Sequence, residues 1–384
     1  MNIFDLAEVD EATAYRLVNE TLAAFPDLRN LYEDDFVKKL AKRRRNYDNF
    51  LLLMLVRVDD ESAAKFWTTT LDDLAVLAPR GSRQIFYSKF RKRGYFDIQS
   101  AKSELTLAAW MERKGFPVVL EPLVNGLRGC DFMAETQPRT WWEIKSPGDL
   151  RIVKENERIE LEVQGGLRRI QQPYVLALDE IDRENLSARN VPKAVKEIKR
   201  KIAEFHEGDG NLPHAVESHG LRIEITGRTK LVPYGYLGTM SHSYMFSNEY
   251  MKLAFSRISS AIGQLPANSA GIVVIDATAA HWLHEHDVVD ACFGEEVFGQ
   301  YRGQLGAIRL PGGAFHPGHR TRISAVIYYT RSPDDWERDF EMVVLHNPFA
   351  RVPLANGTLQ FQGVRQLVCF AVGEGRYRLE AVAS

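Results

Sequence analysis

Asp131, Glu143 and Lys145 stand in the spacing Asp-x₁₁-Glu-x-Lys, which offers two oxygen anions to gather a cation and an ammonium beside them. In Thr140-Trp141-Trp142-Glu143-Ile144-Lys145, strand alternation puts Trp142 and Ile144 on one face and Trp141, Glu143 and Lys145 on the other. The same rule in Gly129-Cys130-Asp131-Phe132-Met133 sets Cys130 and Phe132 opposite to Asp131. A hairpin centred on Gln137, in the polar connection Thr136-Gln137-Pro138-Arg139, lays Asp131 directly across from Glu143. Opposed side chains on paired strands have Cβ atoms about 5 Å apart, where two carboxylates repel unless a cation sits between them. A hard divalent ion such as Mg²⁺ takes oxygen ligands and relieves that repulsion. Lys145 projects from the same face, roughly 7 Å farther along the strand. There it is placed to orient or help deprotonate a water, or to stabilise charge on a phosphate under attack.

Glu104 adds a third acid. It shares a helical stripe with Leu107, Ala108 and Met111, so its carboxylate points toward the face that packs on the sheet and needs a partner there. The plainer reading makes Asp131, Glu143 and Lys145 the solvated face of an antiparallel pair, with Glu143 and Lys145 in a weak surface ion pair. It accounts for the alternation and leaves the inward Glu104 unexplained. Weaker signals lie elsewhere. His281, His284, His286 and Asp287 are close together, but without the spacing of a recognised metal site they read as capping or surface residues. Gly312-Gly313 with His316, His319 and Arg320 lacks the strand-to-helix context of a phosphate loop. The turn at 345–350 suggests no mechanism.

The elements that must position these groups begin at residue 97. The pattern predicts a helix over 97–114, strands over 116–121, 129–135 and 140–146, a helix over 154–172 and a strand over 174–178, the order α-β-β-β-α-β. The helix over 154–172 turns Ile159, Val163, Leu167 and Ile170 to a core and leaves Glu160, Gln164 and Gln171 beside them. Farther on come a polar helix (194–207), a strand (221–225), a helix (249–264) running into the buried-looking strand 271–276, a helix near 278–291, and strands near 323–329 and 342–346. A hairpin closes the chain, 366–372 with 377–382. The first ninety residues hold few Gly or Pro and show helical periodicity over Glu11–Ala24, 36–58 and 63–76.

Ser103-Glu104-Leu105, Gly115-Phe116, Gly129-Cys130-Asp131-Phe132 and Trp142-Glu143-Ile144-Lys145 together resemble the PD-(D/E)xK nuclease superfamily, whose shared core is αβββαβ, over residues 98 to 180 or so. One departure is Cys130 where the superfamily pattern has Pro, a position at which it varies. The resemblance implies that Asp131, Glu143 and Glu104 contact Mg²⁺, for which Mn²⁺ substitutes, with the carbonyl of Ile144 as a further ligand and Lys145 at the water. It also implies a helix residue at the site, for which Gln164 is the candidate, and cleavage that leaves a 5′-phosphate. DNA is favoured over RNA, in restriction, repair or anti-phage defence. The fold expected is α/β: a restriction-endonuclease-like core with a mixed sheet and a C-terminal α/β extension, preceded by an all-helical N-terminal domain. The alternative is a catalytically silent nuclease-like module that binds nucleic acid or protein within a larger assembly.

The 384 residues exceed one core at roughly 150 residues per domain. The expected division is a helical domain over 1–96, the nuclease-like domain over 97–350, and a C-terminal hairpin over 351–384 packed upon it. The formal charge of −2 supplies no attractive field for nucleic acid, so contact must come from local basic segments. Two stand out: 38–45, and 80–93, where Arg80, Arg83, Lys89, Arg91, Lys92 and Arg93 mingle with Phe86, Tyr87 and Phe90. A solvated helix face plus a packed linker is the plainer account of both. A homodimer or a partner protein fits cleavage of two strands. The three cysteines, Cys130, Cys292 and Cys369, suggest neither a disulfide framework nor a zinc site. No apolar run is long enough to span a bilayer, and a cytoplasmic protein is expected.

Overall fold

The computed structural model describes residues 9–42, 50–56, 61–92, 94–124, 127–147, 174–181, 186, 190–205, 212–228, 236–239, 249–280, 283–294, 296–301, 304–309, 312–316, 318, 320–331, 340–354, 358–361, 364–373 and 376–382. By packing, the chain divides into two units, residues 1–149 with 247–384, and residues 150–246.

The first unit opens with helices α1 (Glu11–Ala24), α2 (Asp34–Lys42), α3 (Phe50–Val56), α4 (Glu61–Val76), α5 (Ser82–Phe90) and α6 (Tyr95–Arg113). Asp10 caps α1, its carboxylate accepting from the Thr13 N–H at 2.6 Å. Strands β1 (Val118–Leu120), β4 (Phe132–Ala134) and β5 (Thr140–Lys145) follow as an antiparallel meander, with the small pair β2 (Leu123–Val124) and β3 (Leu127–Arg128) between the first two. Helix α8 (Glu249–Ala261) then leads to β10 (Ala270–Asp276), which lies parallel beside β5. Strands β13 (Ile323–Thr330), β14 (Glu341–His346), β15 (Val364–Gly373) and β16 (Arg376–Val382) complete a mixed eight-stranded sheet in the order β1-β4-β5-β10-β13-β14-β15-β16. Helix α9 (Glu285–Phe293) and the hairpin β11 (Glu296–Tyr301)–β12 (Gln304–Arg309) lie between β10 and β13 in sequence.

The second unit holds β6 (Tyr174–Ile181), α7 (Val191–Glu204), β7 (His214–Ser218), β8 (Leu221–Arg228) and β9 (Tyr236–Thr239), in a separate sheet ordered β7-β8-β6-β9. Helix α7 turns Val191, Ala194, Val195, Ile198 and Ile202 inward to a core shared with Leu176, Val216, Leu221, Ile223 and Ile225.

These observations correct two expectations. The strand expected to finish the nuclease-like core, 174–178, belongs to the second unit's sheet, and β10 takes the place beside β5. The physical reason lies in composition. All seven residues of β10 are buried, as an interior parallel strand requires, whereas β6 runs into Asp179 and Glu180. The helix expected over 154–172, with Gln164, lies outside the described residues. Second, residue 96 is not a packing boundary. Leu22, Leu51, Leu55, Phe66, Trp67 and Phe86 from the N-terminal helices share one core with Phe132, Trp142, Ile144, Ile272, Val274 and Ile327 from the sheet. Helix α6 is buried from Ile98 to Met111 along most of its length, between those helices and the strands, so neither layer has a face to close alone. The closing hairpin is formed by β15 and β16 and joins the sheet at its edge, through parallel pairing of β14 with β15. Among the described residues no helix is long and apolar enough to cross a membrane.

Candidate active site

The meander sets the site's register. Phe132 pairs with Trp142, Met133 with Trp141 and Ala134 with Thr140, and the Asp131 N–H donates to the Trp142 carbonyl at 3.0 Å. Continuing that register puts Asp131 across from Glu143, as the alternation predicts. Phe132 stacks on Trp142 with ring centroids 5.3 Å apart, fixing the opposite face in the core. Asp131 accepts the Ile144 N–H on Oδ2 at 2.8 Å, so its carboxylate is tied to the strand that bears Glu143.

Lys145 donates from Nζ to Glu143 Oε1 at 2.5 Å and to Gln264 Oε1 at 2.7 Å. Glu143 is 3% exposed and the Lys145 side chain 20%. A strand face this dry is not a solvated surface, which removes the weak surface ion pair as an account of these residues. One step on, Ser146 donates from Oγ to Asp276 Oδ2 at 2.7 Å, and the Thr278 N–H donates to Oδ1 at 3.0 Å. Asp276 is fully buried at the end of β10, so the acid and amide groups gather where β5 and β10, running parallel, both end. Crevices at the carboxyl ends of parallel strands are where such sheets bind ligands.

Glu104 is buried on α6 together with Leu107, Ala108 and Met111, the stripe read from sequence. Its partner is Lys89 of α5, whose Nζ contacts both carboxylate oxygens, Oε2 at 2.6 Å. Lys89 also reaches Glu121 Oε1, at 3.2 Å. Burial pushes the Glu104 carboxyl up to about 8; the negative charges of Asp131 and Glu121 add to this and Lys89 opposes it. Burial alone would lower the Lys89 ammonium, but Glu104, Asp131 and Glu121 outweigh it and hold it above its usual range. Burial raises the Cys130 thiol, with Glu143 and Asp131 adding to it, up to about 12; this cysteine is an inert small hydrophobe beside the site.

The structure therefore brings together Asp131, Glu143, Ile144 and Lys145, and puts Glu104 in the electrostatic neighbourhood of Asp131. Among the described residues, no three or more His, Cys, Asp or Glu side chains are placed to hold a metal ion. The hydrogen bonds give the reason: Asp131 is turned to Ile144 N, Glu143 to Lys145 and Glu104 to Lys89.

Gln264, Asp276 and Glu121 are missing from the sequence reading, where Lys89 stands only as part of the basic segment 80–93. Gln264 ends the predicted helix 249–264, and its amide is 119 residues from Lys145, so no local period connects them. A usable signal existed for Asp276, an acid closing an otherwise wholly apolar strand. On a catalytic reading of this site, Gln264→Leu is expected to leave the fold intact and lower turnover about tenfold, the worth of one lost orienting hydrogen bond of roughly 1.4 kcal/mol. Single-turnover kinetics check it, and an unchanged rate would remove Gln264 from the site.

In the basic segment 80–93 the described side chains are mostly packed or paired, while Arg93 and the Arg83 side chain lie outside the described residues. Phe86 and Phe90 are fully buried, Arg80 bonds Glu112 at 2.8 Å, Arg91 bonds the Leu31 carbonyl at 3.0 Å and Glu33 at 3.1 Å, and Lys92 meets Asp97 at 3.3 Å. In the segment 38–45, Lys38 pairs with Asp34 at 2.7 Å, and residues 43–45 lie outside the described residues. Of the histidine group, the His284 N–H donates to Asp287 Oδ2 at 2.8 Å at the start of α9, a cap. His281 and His319 lie outside the described residues. Gly313 is required by packing, since a Cβ there would stand 2.3 Å from the Cys292 carbonyl oxygen. Arg320 packs over Phe255 at 4.3 Å and donates to Ser259 Oγ at 3.0 Å, both on α8. Asn347 explains the turn at 345–350: it donates to the Ile323 carbonyl at 2.7 Å and accepts from the Phe349 N–H at 2.9 Å. Comparison with protein-family models, curated proteins and solved structures finds no match.

Proposed function

We propose that this chain is a divalent-metal-dependent nuclease of the PD-(D/E)xK type, acting on DNA in preference to RNA. The observation that carries the reading is the buried face of β5, where Glu143 and Lys145 stand side by side with Asp131 across the strand pair. An α6-β1-β4-β5-α8-β10 succession, with an antiparallel meander and then a helix and a parallel strand beside β5, follows the αβββαβ order that the resemblance implies and supports this reading. On this reading residues 150–246 form an insertion between the core's third strand and second helix, and Gln264 takes the part assigned to Gln164.

The donor types are those a hard cation takes, while their side chains are turned to separate partners. The donors are carboxylates and a strand carbonyl, all oxygen, and the Lys89 ammonium already stands in as a positive charge among the acids. Mg²⁺ or Mn²⁺ held by Asp131, Glu143 and the Ile144 carbonyl, with Glu104 beside them, would supply Lewis-acid activation of water and offset charge at phosphorus. Lys145 presents its ammonium on the same face, held by Glu143 and Gln264, where it orients a water or a phosphate oxygen. The hydrophobic layer behind β5, with Trp142 and Ile144 in it, keeps the strand in place and the reverse face dry.

The silent-module reading rests on one observation, that the carboxylates are each engaged by a different donor and do not converge. Incubating the purified chain with supercoiled plasmid, linear duplex, single-stranded DNA and RNA, in Mg²⁺, Mn²⁺ or EDTA, separates the two. Cutting that needs the metal and stops in EDTA is the expected outcome, and tight binding without cutting would favour the module.

A further inference from the structure

We infer that an internal water site lies between α6 and the carboxyl end of β13, held by the Gln99 amide and the hydroxyls of Ser103 and Tyr329, and that its water joins this helix to the sheet. The inference is independent of the nuclease reading.

Sheet register places the polar groups. Tyr329 pairs with Asp276 across the parallel strands β13 and β10, so their side chains leave the same face of the sheet. Lower on that face stand Ile272, Val274, Ala325 and Ile327, which share a core with Leu105 and Ala108 of α6. At the strand ends the face turns polar: Tyr329 follows Ile327 and Asp276 follows Val274 in the alternation, and Ser146 at the end of β5 bonds Asp276 at 2.7 Å. On α6, Gln99 and Ser103 are one turn apart and adjoin on one side of the helix. Ser103 lies beside the Tyr329 hydroxyl.

Gln99, Ser103 and Tyr329 are all fully buried. Among the described residues, neither polar atom of the Gln99 amide, nor Ser103 Oγ, nor the Tyr329 hydroxyl oxygen makes a well-formed hydrogen bond. Buried groups of this kind destabilise a fold unless something inside bonds them. The ligand must both donate and accept, because the amide and the hydroxyls each do both. Burial pushes the Tyr329 hydroxyl up to about 12, with Arg331 opposing, so it keeps its proton and presents a neutral donor. None of the three groups carries a charge that would balance an ion, and the nearby carboxylate of Asp73 is already bonded to Lys102 at 3.2 Å and Arg113 at 2.7 Å. Water is the small, neutral, two-way partner that such sites take, with about three bonds to each molecule. Here it would fasten α6 one residue before Glu104.

A crystal structure of the full chain tests this, with thermal unfolding of Tyr329→Phe and Ser103→Ala beside it. Ordered water is expected within about 3.2 Å of the Gln99 amide, Ser103 Oγ and the Tyr329 oxygen. The melting temperatures supply an independent sign. Tyr329→Phe removes one oxygen and keeps the ring, so a bonded water loses a partner and the melting temperature should fall by about 2 °C or more. In a dry site the same change removes an unpaired buried hydroxyl, and the melting temperature would rise or hold. Ser103→Ala should act in the same direction as Tyr329→Phe. Density with no water at these groups, or with another molecule bonded to them, would overturn the inference, as would two variants that both melt at or above the wild-type temperature.

Discussion

Lys145→Met is expected to lower the single-turnover rate of phosphodiester cleavage by about a factor of 10² to 10³, the usual cost of deleting one preorganised charged donor from a dry site. Affinity for nucleic acid should stay as it was. Methionine retains the unbranched stem, so the packing along β5 persists and the change is confined to the ammonium, which touches Glu143 and Gln264. The loss should exceed that of Gln264→Leu because Gln264 acts through Lys145, whereas Lys145 itself presents the charge. Lys145→Arg should rescue poorly, since a planar guanidinium cannot occupy the same point between Glu143 Oε1 and Gln264 Oε1. Rapid-quench cleavage in Mg²⁺ together with binding measured in EDTA separates the two effects. A variant that cuts at the wild-type rate would take Lys145 out of the reaction. A variant that loses binding and cutting in equal measure would make it a docking residue.

The local part of this site is legible from sequence, because strand alternation and a short turn are both local. Once Gln137 is the hairpin centre, Asp131 and Glu143 can only face each other, and the pairing of Phe132 with Trp142 bears this out. Helical period alone does not single out the stripe of Glu104, Leu107, Ala108 and Met111, because α6 is buried on its other faces as well. What sequence does not carry is which strand lies next to β5. Strand β6 comes sooner in the chain and has enough β-branched and apolar residues to pass for a neighbour, while β10 comes only after a whole inserted unit. Gln264 is hidden for the same reason. Charge is equally ambiguous: Lys89 sits in a run of basic and aromatic residues that reads as a surface for phosphates, yet it is turned to Glu104, and its neighbours Phe86 and Phe90 are core. Composition records that a cation is present and not what it faces.

Asp73→Ala is expected to cost about 3–5 kcal/mol of folding stability, the range for breaking a buried charge network by removing its anion. Asp73 on α4 accepts from Lys102 Nζ at 3.2 Å and Thr106 Oγ1 at 3.0 Å on Oδ2, and from Arg113 Nη1 at 2.7 Å on Oδ1. Lys102 is fully buried, and its ammonium is drawn down to about 8 by burial, with Asp73 opposing and Arg331 assisting. Between about 8 and its ordinary value of 10.5, the folded chain therefore binds fewer protons at Lys102 than the unfolded chain does, and the wild type gains stability as pH rises through that window. Below it both states hold the proton, and the cost of burying the charge is present in full. Without Asp73 the ammonium has lost its carboxylate and still faces Arg331 and Arg113, so the depression deepens and the gain with pH should begin lower. Urea midpoints from pH 7 to 10 measure this, and Asp73→Ala with Lys102→Met supplies the control. The double variant buries no orphaned lysine and should recover much of the loss, whereas a single-variant loss below about 1 kcal/mol, or a double variant no better than the single, would mean the network is not what fixes α6. Because Lys102 and Thr106 flank Glu104 on that helix, a chain that survives the Asp73 change should still bind Mn²⁺ more weakly than the wild type. The carboxylate would then ride on a helix no longer anchored to α4.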